Sequence, residues 1–268
     1  MKYIIGSGWW CSDESDGRDA FYGDEDIRSQ EFHKLWRKSV DSFTSPDRVI
    51  IVDSNSPVKP NYSDDVIFLS LNENAGHSTN HRGKFSGWMR SVILSASYAI
   101  NCDCDYFVYV EQDVLLQGSN IVEKAIATMK KPYMFGKCHD HNNPLQQSFF
   151  IIKKSHLEEF ISNIYRIRYT DFDMPPERKF ALATSRYFMF IPQFFFVTPA
   201  NMFLKKVFRR VQNNVSRILG NYDYLPFGYG RDRPINFEDE YFYFQHGDKN
   251  ELKLHFSLFE DKKDEVCE

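Results

Sequence analysis

The 268-residue sequence has few cysteines, no long basic run and no long uninterrupted apolar stretch. Its five cysteines, Cys11, Cys102, Cys104, Cys138 and Cys267, are an odd set without a repeating framework. That argues against a disulfide scaffold and for free thiols in a reducing compartment. In "NCDCD" one residue separates the cysteines, so the pair is neither a zinc knuckle nor a thioredoxin-type motif and reads as ordinary thiols. A net charge of −4 without a basic patch argues against nucleic acid as the main partner. An anionic substrate would then need local neutralisation, by a metal or by a few placed Arg and Lys side chains.

The N-terminal "MKYIIGSGWWCSDESDGRD" has too short an apolar run for a signal peptide and turns acidic at once. The most apolar later stretch, "YFMFIPQFFFVTPANMFL" (residues 187–204), is broken by two prolines and does not read as a spanning helix. With the basic "KKVFRRVQNNVSR" behind it, it reads as a core segment before a solvated basic helix, peripheral contact with a membrane surface being the other reading. We therefore expect a cytoplasmic protein without a transmembrane segment.

A hydrophobic content of 42% and a charged content of 26% are those of a soluble globular protein with a sizeable core. The length suits one large domain or two intimate lobes. The 25 Phe and 15 Tyr fit a wide core and a ligand cleft equally well. "KYIIGSG" is a short strand ending in glycine and serine, and "SQEFHKLWRKSVDSF" spaces Phe32, Leu35, Trp36, Val40 and Phe43 as a helix does. "DRVIIVDSNSP" is a continuous apolar strand, as when both faces are covered, closed by turn residues. "DDVIFLSLNENAGHS" is a third strand, "SGWMRSVILSASYAI" a helix with small residues on one face, and "DYFVYVEQDVLL" a fourth strand. This alternation predicts an α/β domain with a largely parallel sheet. Further on, "NIVEKAIATMKK" predicts a helix, "PYMFGKC" a strand and "QQSFFIIKKSHLEEFISNIYRI" a strand running into a helix. A helix over 200–219, a loop "NYDYLPFGYGRDRP", a helix at "NFEDEYFYFQHG" and a loose tail "EDKKDEVCE" complete the reading.

In such sheets ligands sit outside the carboxyl ends of the strands. Three strands here end in polar tips: Gly6-Ser7-Gly8, Asp53-Ser54-Asn55 and Glu111-Gln112-Asp113. Residues two apart in an extended strand point the same way, so Glu111 and Asp113 are placed to face one cation while Gln112 faces elsewhere. Mg²⁺ and Mn²⁺ take oxygen ligands, commonly one or two carboxylates completed by water and phosphate. A solvated strand end is the other reading of the same tripeptide.

The order of these motifs resembles the GT-A glycosyltransferases, family-2-like in type, over roughly residues 1–160. "YVEQDVLL" stands where that family shows a hydrophobic run into Asp-x-Asp, with Glu in place of the first Asp. "IIVDSNSP" resembles its second strand, "NENAGHS" and the helix after it resemble the stretch before the acidic motif, and "QQSFFIIKK" resembles the strand after it. The resemblance implies a mixed, mostly parallel sheet flanked by helices, with residues 1–160 binding the nucleotide sugar and an aromatic-rich 161–268 forming the acceptor side of the same domain. It implies a metal-dependent hexosyl- or pentosyltransferase using Mn²⁺ or Mg²⁺, with a UDP-sugar as the favoured donor and a glycan hydroxyl as acceptor.

Residue by residue, the resemblance implies Asp113 as the first metal ligand, Glu111 as the second, and a C-terminal histidine as the third, His246 before His255. Ser7, Gly8 and Trp9 would lie near the nucleotide, Trp9 or Trp10 stacking on the base. Asp53 would accept from base or ribose, with Ser54 and Asn55 shaping the turn and Gln112 on the same rim. Arg82 and Lys84, in "HSTNHRGKFSG", and Arg231 and Arg233, in "GYGRDRP", are the candidates for the diphosphate. The resemblance implies that the "NFEDEYF" acids would supply the base of an inverting reaction, Asp239 first and Glu238 next, acids favoured by a helix start being the other reading. A sugar nucleotidyltransferase is the neighbouring possibility, against which the acidic "GSGWWCSDESDGRD" counts, because those enzymes usually carry a glycine-rich basic loop there. A non-catalytic carbohydrate-binding protein that stacks sugars on its aromatic half is the alternative of another class.

Overall fold

The computed structural model describes residues 1–12, 23–77, 80–81, 83–139, 142–198 and 202–264. Ten strands and seven α-helices follow one another among these residues. β1 (Tyr3–Trp9), α1 (Gln30–Phe43), β2 (Arg48–Asp53), β3 (Val66–Ser70), α2 (Gly87–Ile100) and β4 (Tyr106–Val110) form the first half in the expected order. β5 (Val114–Gln117), α3 (Ile121–Thr128), β6 (Tyr133–Gly136), β7 (Gln146–Lys153), α4 (Leu157–Arg166) and α5 (Pro176–Ala183) come next. α6 (Met202–Leu219), β8 (Asp223–Tyr224), β9 (Tyr229–Gly230), β10 (Phe242–Gln245) and α7 (Lys249–Asp264) close the series.

Seven strands build a central sheet in the order β3-β2-β1-β4-β7-β6-β8. β3, β2, β1 and β4 are parallel, and β7 runs antiparallel to both β4 and β6. The fold is thus the expected mixed, mostly parallel sheet flanked by helices. Alternation along each strand feeds two cores. Ile4, Ile50, Val52, Phe107, Tyr109, Phe150 and Ile152 face the side where α2, α4 and α5 pack. Tyr3, Ile5, Val49, Ile51, Val108, Val110, Phe149 and Ile151 face α1, α3 and the small sheet β5-β10-β9. Both faces are covered, which is why these strands read as continuous apolar runs.

The small residues of α2 have a definite task. A Cβ on Gly6 would lie 2.5 Å from Ser95 Oγ and one on Gly8 2.7 Å from Ser91 Oγ, so α2 lies directly on β1 through glycine meeting serine. Each serine hydroxyl bonds back to its own helix, Ser91 to the Trp88 carbonyl at 2.7 Å and Ser95 to that of Ser91 at 2.6 Å.

Three local readings are corrected. The run "DYFVYVEQDVLL" is not one strand: the chain turns at Gln112 and Asp113, and Val114–Gln117 leaves for the second sheet. "NFEDEYFYFQHG" is a turn followed by strand β10, not a helix. Antiparallel pairing of Phe242–Gln245 with Val114–Gln117 holds it extended, a tertiary contact that overrides local preference. The tail is helical through Asp264, and Cys267 lies outside the described residues. The other four cysteines are free thiols, as expected.

Candidate active site

A cavity of about 960 Å³ opens at the carboxyl ends of β1, β2 and β4, where the polar tips converge. Gly8, Trp9 and Trp10 from β1, Ser54 after β2, and Glu111, Gln112 and Asp113 after β4 form its floor. Gln112 locks two of these tips together: its amide oxygen accepts from Trp10 N at 2.6 Å and its amide nitrogen donates to Trp10 O at 3.0 Å.

At the centre stands Asp113, 3% exposed. Gln245 Nε2 donates to its Oδ1 at 2.9 Å, while Arg28 reaches Oδ2 at 3.2 Å and His246 Nε2 lies 3.4 Å from Oδ2. Gln245 Oε1 in turn accepts from Arg231 Nε at 2.9 Å. A continuous array therefore runs from Arg231 through Gln245 and Asp113 to Arg28. Gly23 helps assemble it: with φ +79° it brings its backbone against that of His246, and Asp24 N donates to Gly247 O at 2.9 Å.

Burial works against ionisation of Asp113, yet its charged and amide neighbours outweigh that and hold its carboxyl below the usual carboxylate range. Burial also lowers His246 to about 4, with Arg231, Arg28 and Arg233 adding to the effect against the opposing pull of Asp113. At neutral pH the imidazole is neutral, so the positive charge that stabilises Asp113 then comes from Arg28 and Arg231 rather than from His246. An anionic carboxylate and a neutral imidazole 3.4 Å apart suit a divalent cation, and the imidazole favours Mn²⁺ over Mg²⁺. No group of three His, Cys, Asp or Glu among the described residues is close enough to hold a metal by itself. The protein would thus offer two donors, leaving the rest to phosphate and water, a common arrangement for such ions. Glu111 lies on the same wall.

Several sequence-predicted residues are elsewhere. Asp53 is fully buried behind the cavity, ion-paired with Lys59 and accepting from Ser70 Oγ at 2.5 Å and Ser56 N at 3.0 Å. Ser7 is buried in β1, and exposed Asn55 takes a left-handed φ of 55° in the turn. Trp9 edges the cavity, but its ring packs edge-on against His33 and its Nε1 donates to Val58 O, leaving Trp10 as the tryptophan available for stacking. Lys84 donates to Tyr165 O, and Arg233 pairs with Glu251; neither lines the cavity. Arg82 lies outside the described residues. His255, on α7 itself, is buried with its Nε2 3.1 Å from Leu116 O and away from the cavity.

Asp239 and Glu238 sit on an exposed turn off the cavity wall, Asp239 accepting from Tyr229 Oη at 2.6 Å and Asn236 Nδ2 at 2.8 Å. The carboxylate at a helix start that does face the cavity is Glu177, in the first turn of α5. Its Oε1 is 3.6 Å from Arg231 and 3.4 Å from Asn143 Nδ2. Sequence reading passed over it in "DMPPERKF", although proline then an acid is a helix-start signal. Also missed were Arg28, Trp88 and Gln147, all on the wall. Trp88 Nε1 and Gln147 Oε1 are buried without a hydrogen-bond partner, a donor and an acceptor that a polar ligand would satisfy.

The histidines set an acid limit on stability. Burial depresses His33, His246 and His255 each to about 4, below their ordinary 6.5. Between those values the unfolded chain binds more protons than the folded one, so stability is full above pH 6.5 and falls on acidification. Each histidine contributes a slope of about 1.4 kcal/mol per pH unit. Urea midpoints from pH 7 to pH 5 are expected to fall, and less steeply in His33→Gln/His255→Gln. Parallel pH profiles for variant and parent would refute this assignment.

No protein-family model and no curated protein matches the chain. Among solved structures it is similar to a Staphylococcus aureus TarS fragment, residues 1–349, in complex with UDP-GlcNAc, at 10% identity and TM-score 0.42, covering 93% of this chain and 59% of that one. The chain thus spans about three-fifths of that fragment. It is similar to HddC from Yersinia pseudotuberculosis at 10% identity and TM-score 0.39, covering 94% and 97%, and to the bifunctional IspDF from Campylobacter jejuni at 13% and 0.36, covering 60% and 42%. At such identities and scores the likeness does not extend to chemistry.

Proposed function

We propose that the protein is a glycosyltransferase that moves a sugar from a nucleotide diphosphate donor, a UDP-sugar first, to a glycan hydroxyl with inversion. The observation that carries this reading is the Arg231–Gln245–Asp113–Arg28 array at the strand ends, with Glu177 lining the same cavity 3.6 Å from Arg231. Trp10 and Gly8 bound the nucleotide end, and Arg28 and Arg231 bring positive charge to the diphosphate. Glu177 takes the proton of the acceptor hydroxyl as its oxygen attacks the anomeric carbon, and the bond from that carbon to the diphosphate breaks. Asp113 and His246 are the residues that would hold a divalent cation, which would supply charge neutralisation to the leaving diphosphate.

UDP with Mn²⁺ is expected to raise the unfolding temperature more than either alone, because a ligand that binds only the folded state stabilises it. Glu177→Gln should keep that protection while transfer falls by about 10²-fold or more. Absence of protection by any nucleoside diphosphate, together with no metal-dependent nucleotide release from a panel of nucleotide sugars, sinks the reading.

A further inference from the structure

Helix α6 buries polar side chains and exposes large apolar ones over residues 206–219. Among residues 206–219 the buried ones are Gln212, Asn213 and Ser216, and Val215 and Leu219 pack partly buried against the core, whereas Val207 is 64% and Ile218 81% exposed, with Phe208 and Val211 exposed between them. The inward polar groups are tied down: Gln212 Nε2 donates to Phe195 O at 2.7 Å and Val197 O at 2.8 Å, and Asn213 Oδ1 accepts from Arg178 Nε at 2.8 Å. The helix is thus held by polar anchors as well as by Val215 and Leu219, and it leaves a second apolar stripe, Val207, Val211 and Ile218 with Phe208, facing outward.

The stripe has company. Two 3-10 turns, Phe188–Phe190 and Gln193–Phe196, expose Met189, Phe190 (85%) and Phe194, and the Gln212 bonds join the second turn to α6. Tyr187 and Phe172 are exposed too, Phe172 at the cavity mouth. So many large apolar side chains exceed what isolated surface residues explain and mark an interaction surface. The segment that carries it is basic: residues 184–219 contain six Lys and Arg and no Asp or Glu, in a chain of net charge −4, with Glu158 and Glu159 of α4 bordering its Met189 end. Lys206, Arg209, Arg210 and Arg217 are exposed on α6 beside the apolar stripe, and Arg209 also borders the cavity.

We propose that this surface docks on an anionic lipid bilayer, with Phe190, Phe194 and the α6 stripe in the interface and the basic side chains among the headgroups. Exposed aromatics with flanking Lys and Arg are the chemistry of interfacial anchoring, in which apolar burial and electrostatic attraction act together. No helix among the described residues is long and apolar enough to cross a membrane, so the docking is peripheral. A second copy of the chain meeting this patch with its own would bring basic side chains together, whereas anionic headgroups complement them. Docking sets the cavity mouth, with Phe172 and Arg209, at the bilayer surface.

Flotation of the full chain with phosphatidylcholine vesicles, with and without phosphatidylglycerol, tests this directly. Binding is expected only to the anionic vesicles, with release at high salt. Phe190→Ser/Phe194→Ser and, separately, Lys206→Gln/Arg210→Gln should each lower the partition coefficient by about tenfold or more while leaving thermal protection by UDP and Mn²⁺ unchanged. Absence of binding, equal binding to neutral vesicles, or unaffected variants would overturn the proposal. So would sedimentation velocity showing a dimer that Phe190→Ser/Phe194→Ser dissociates. Vesicle binding requires no turnover, so it stands or falls apart from the transferase reading.

Discussion

Asp113→Asn is expected to lower metal-dependent nucleotide release from the preferred nucleotide sugar by about 10²–10³-fold, while Asp239→Ala stays near wild type. The replacement keeps side-chain volume but removes the one buried carboxylate on which Arg28, Gln245 and His246 converge. Arg28 loses its anion, Gln245 loses a charged acceptor, and the pair of donors for a cation is reduced to a neutral amide and an imidazole. Asp239, hydrogen-bonded on an exposed turn off the cavity wall, has no such role. Steady-state release measured across a Mn²⁺ titration separates the two variants. Equal activity of Asp113→Asn and wild type at saturating Mn²⁺ would remove Asp113 from the site, and a comparable loss in Asp239→Ala would return the base to that turn.

Lys179→Met is expected to cost about 3–5 kcal/mol of folding stability. Lys179 and Asp171 form an ion pair at 2.7 Å, and both side chains are inaccessible to solvent. Lys179 also donates to Tyr169 O at 2.8 Å, and Asp171 Oδ2 accepts from Ser86 N at 2.6 Å, at the N-cap of α2. Removing the ammonium leaves a buried carboxylate without its counter-charge. The double variant Asp171→Leu/Lys179→Met removes both charges, and its remaining cost is mainly the unsatisfied Ser86 N–H, about 1–3 kcal/mol. Urea unfolding of the two singles and the double forms a mutant cycle. A double variant as unstable as the sum of the singles would show that the pair is not coupled. Asp171 lines the cavity, so this pair also fixes part of its wall.

The sheet was legible because its information is local. "KYIIGSG", "DRVIIVD" and "DYFVYV" carry continuous apolar runs that only a doubly covered strand needs, and "SGWMRSVILSASYAI" carries the small residues that close packing on Gly6 and Gly8 demands. The gathering of polar tips at one edge followed from parallel order alone. The point where the chain leaves the sheet was not legible. Val110 and Val114 look alike in sequence, but Val114 pairs with Gln245, far along the chain, and that contact makes the turn between them. The same pairing turned "FYFQ" from a reading as helix into strand and brought His246 next to Asp113.

From the sequence alone came the α/β class, the strand ends as the edge where the cavity opens, Asp113 and His246 as a pair worth testing, and a basic helix behind an aromatic run. Only the tertiary structure decided which carboxylate faces the cavity. Asp239 and Glu177 both stand where a helix start was plausible, but one turn is exposed and the other closes the cavity. Only it decided that Asp53 pairs with Lys59, that Arg28 reaches Asp113, and that α6 leaves Val207, Val211 and Ile218 outward. The reason is physical. Periodicity specifies which faces of an element are alike, whereas which face is inward depends on hydrogen-bond partners supplied by distant segments.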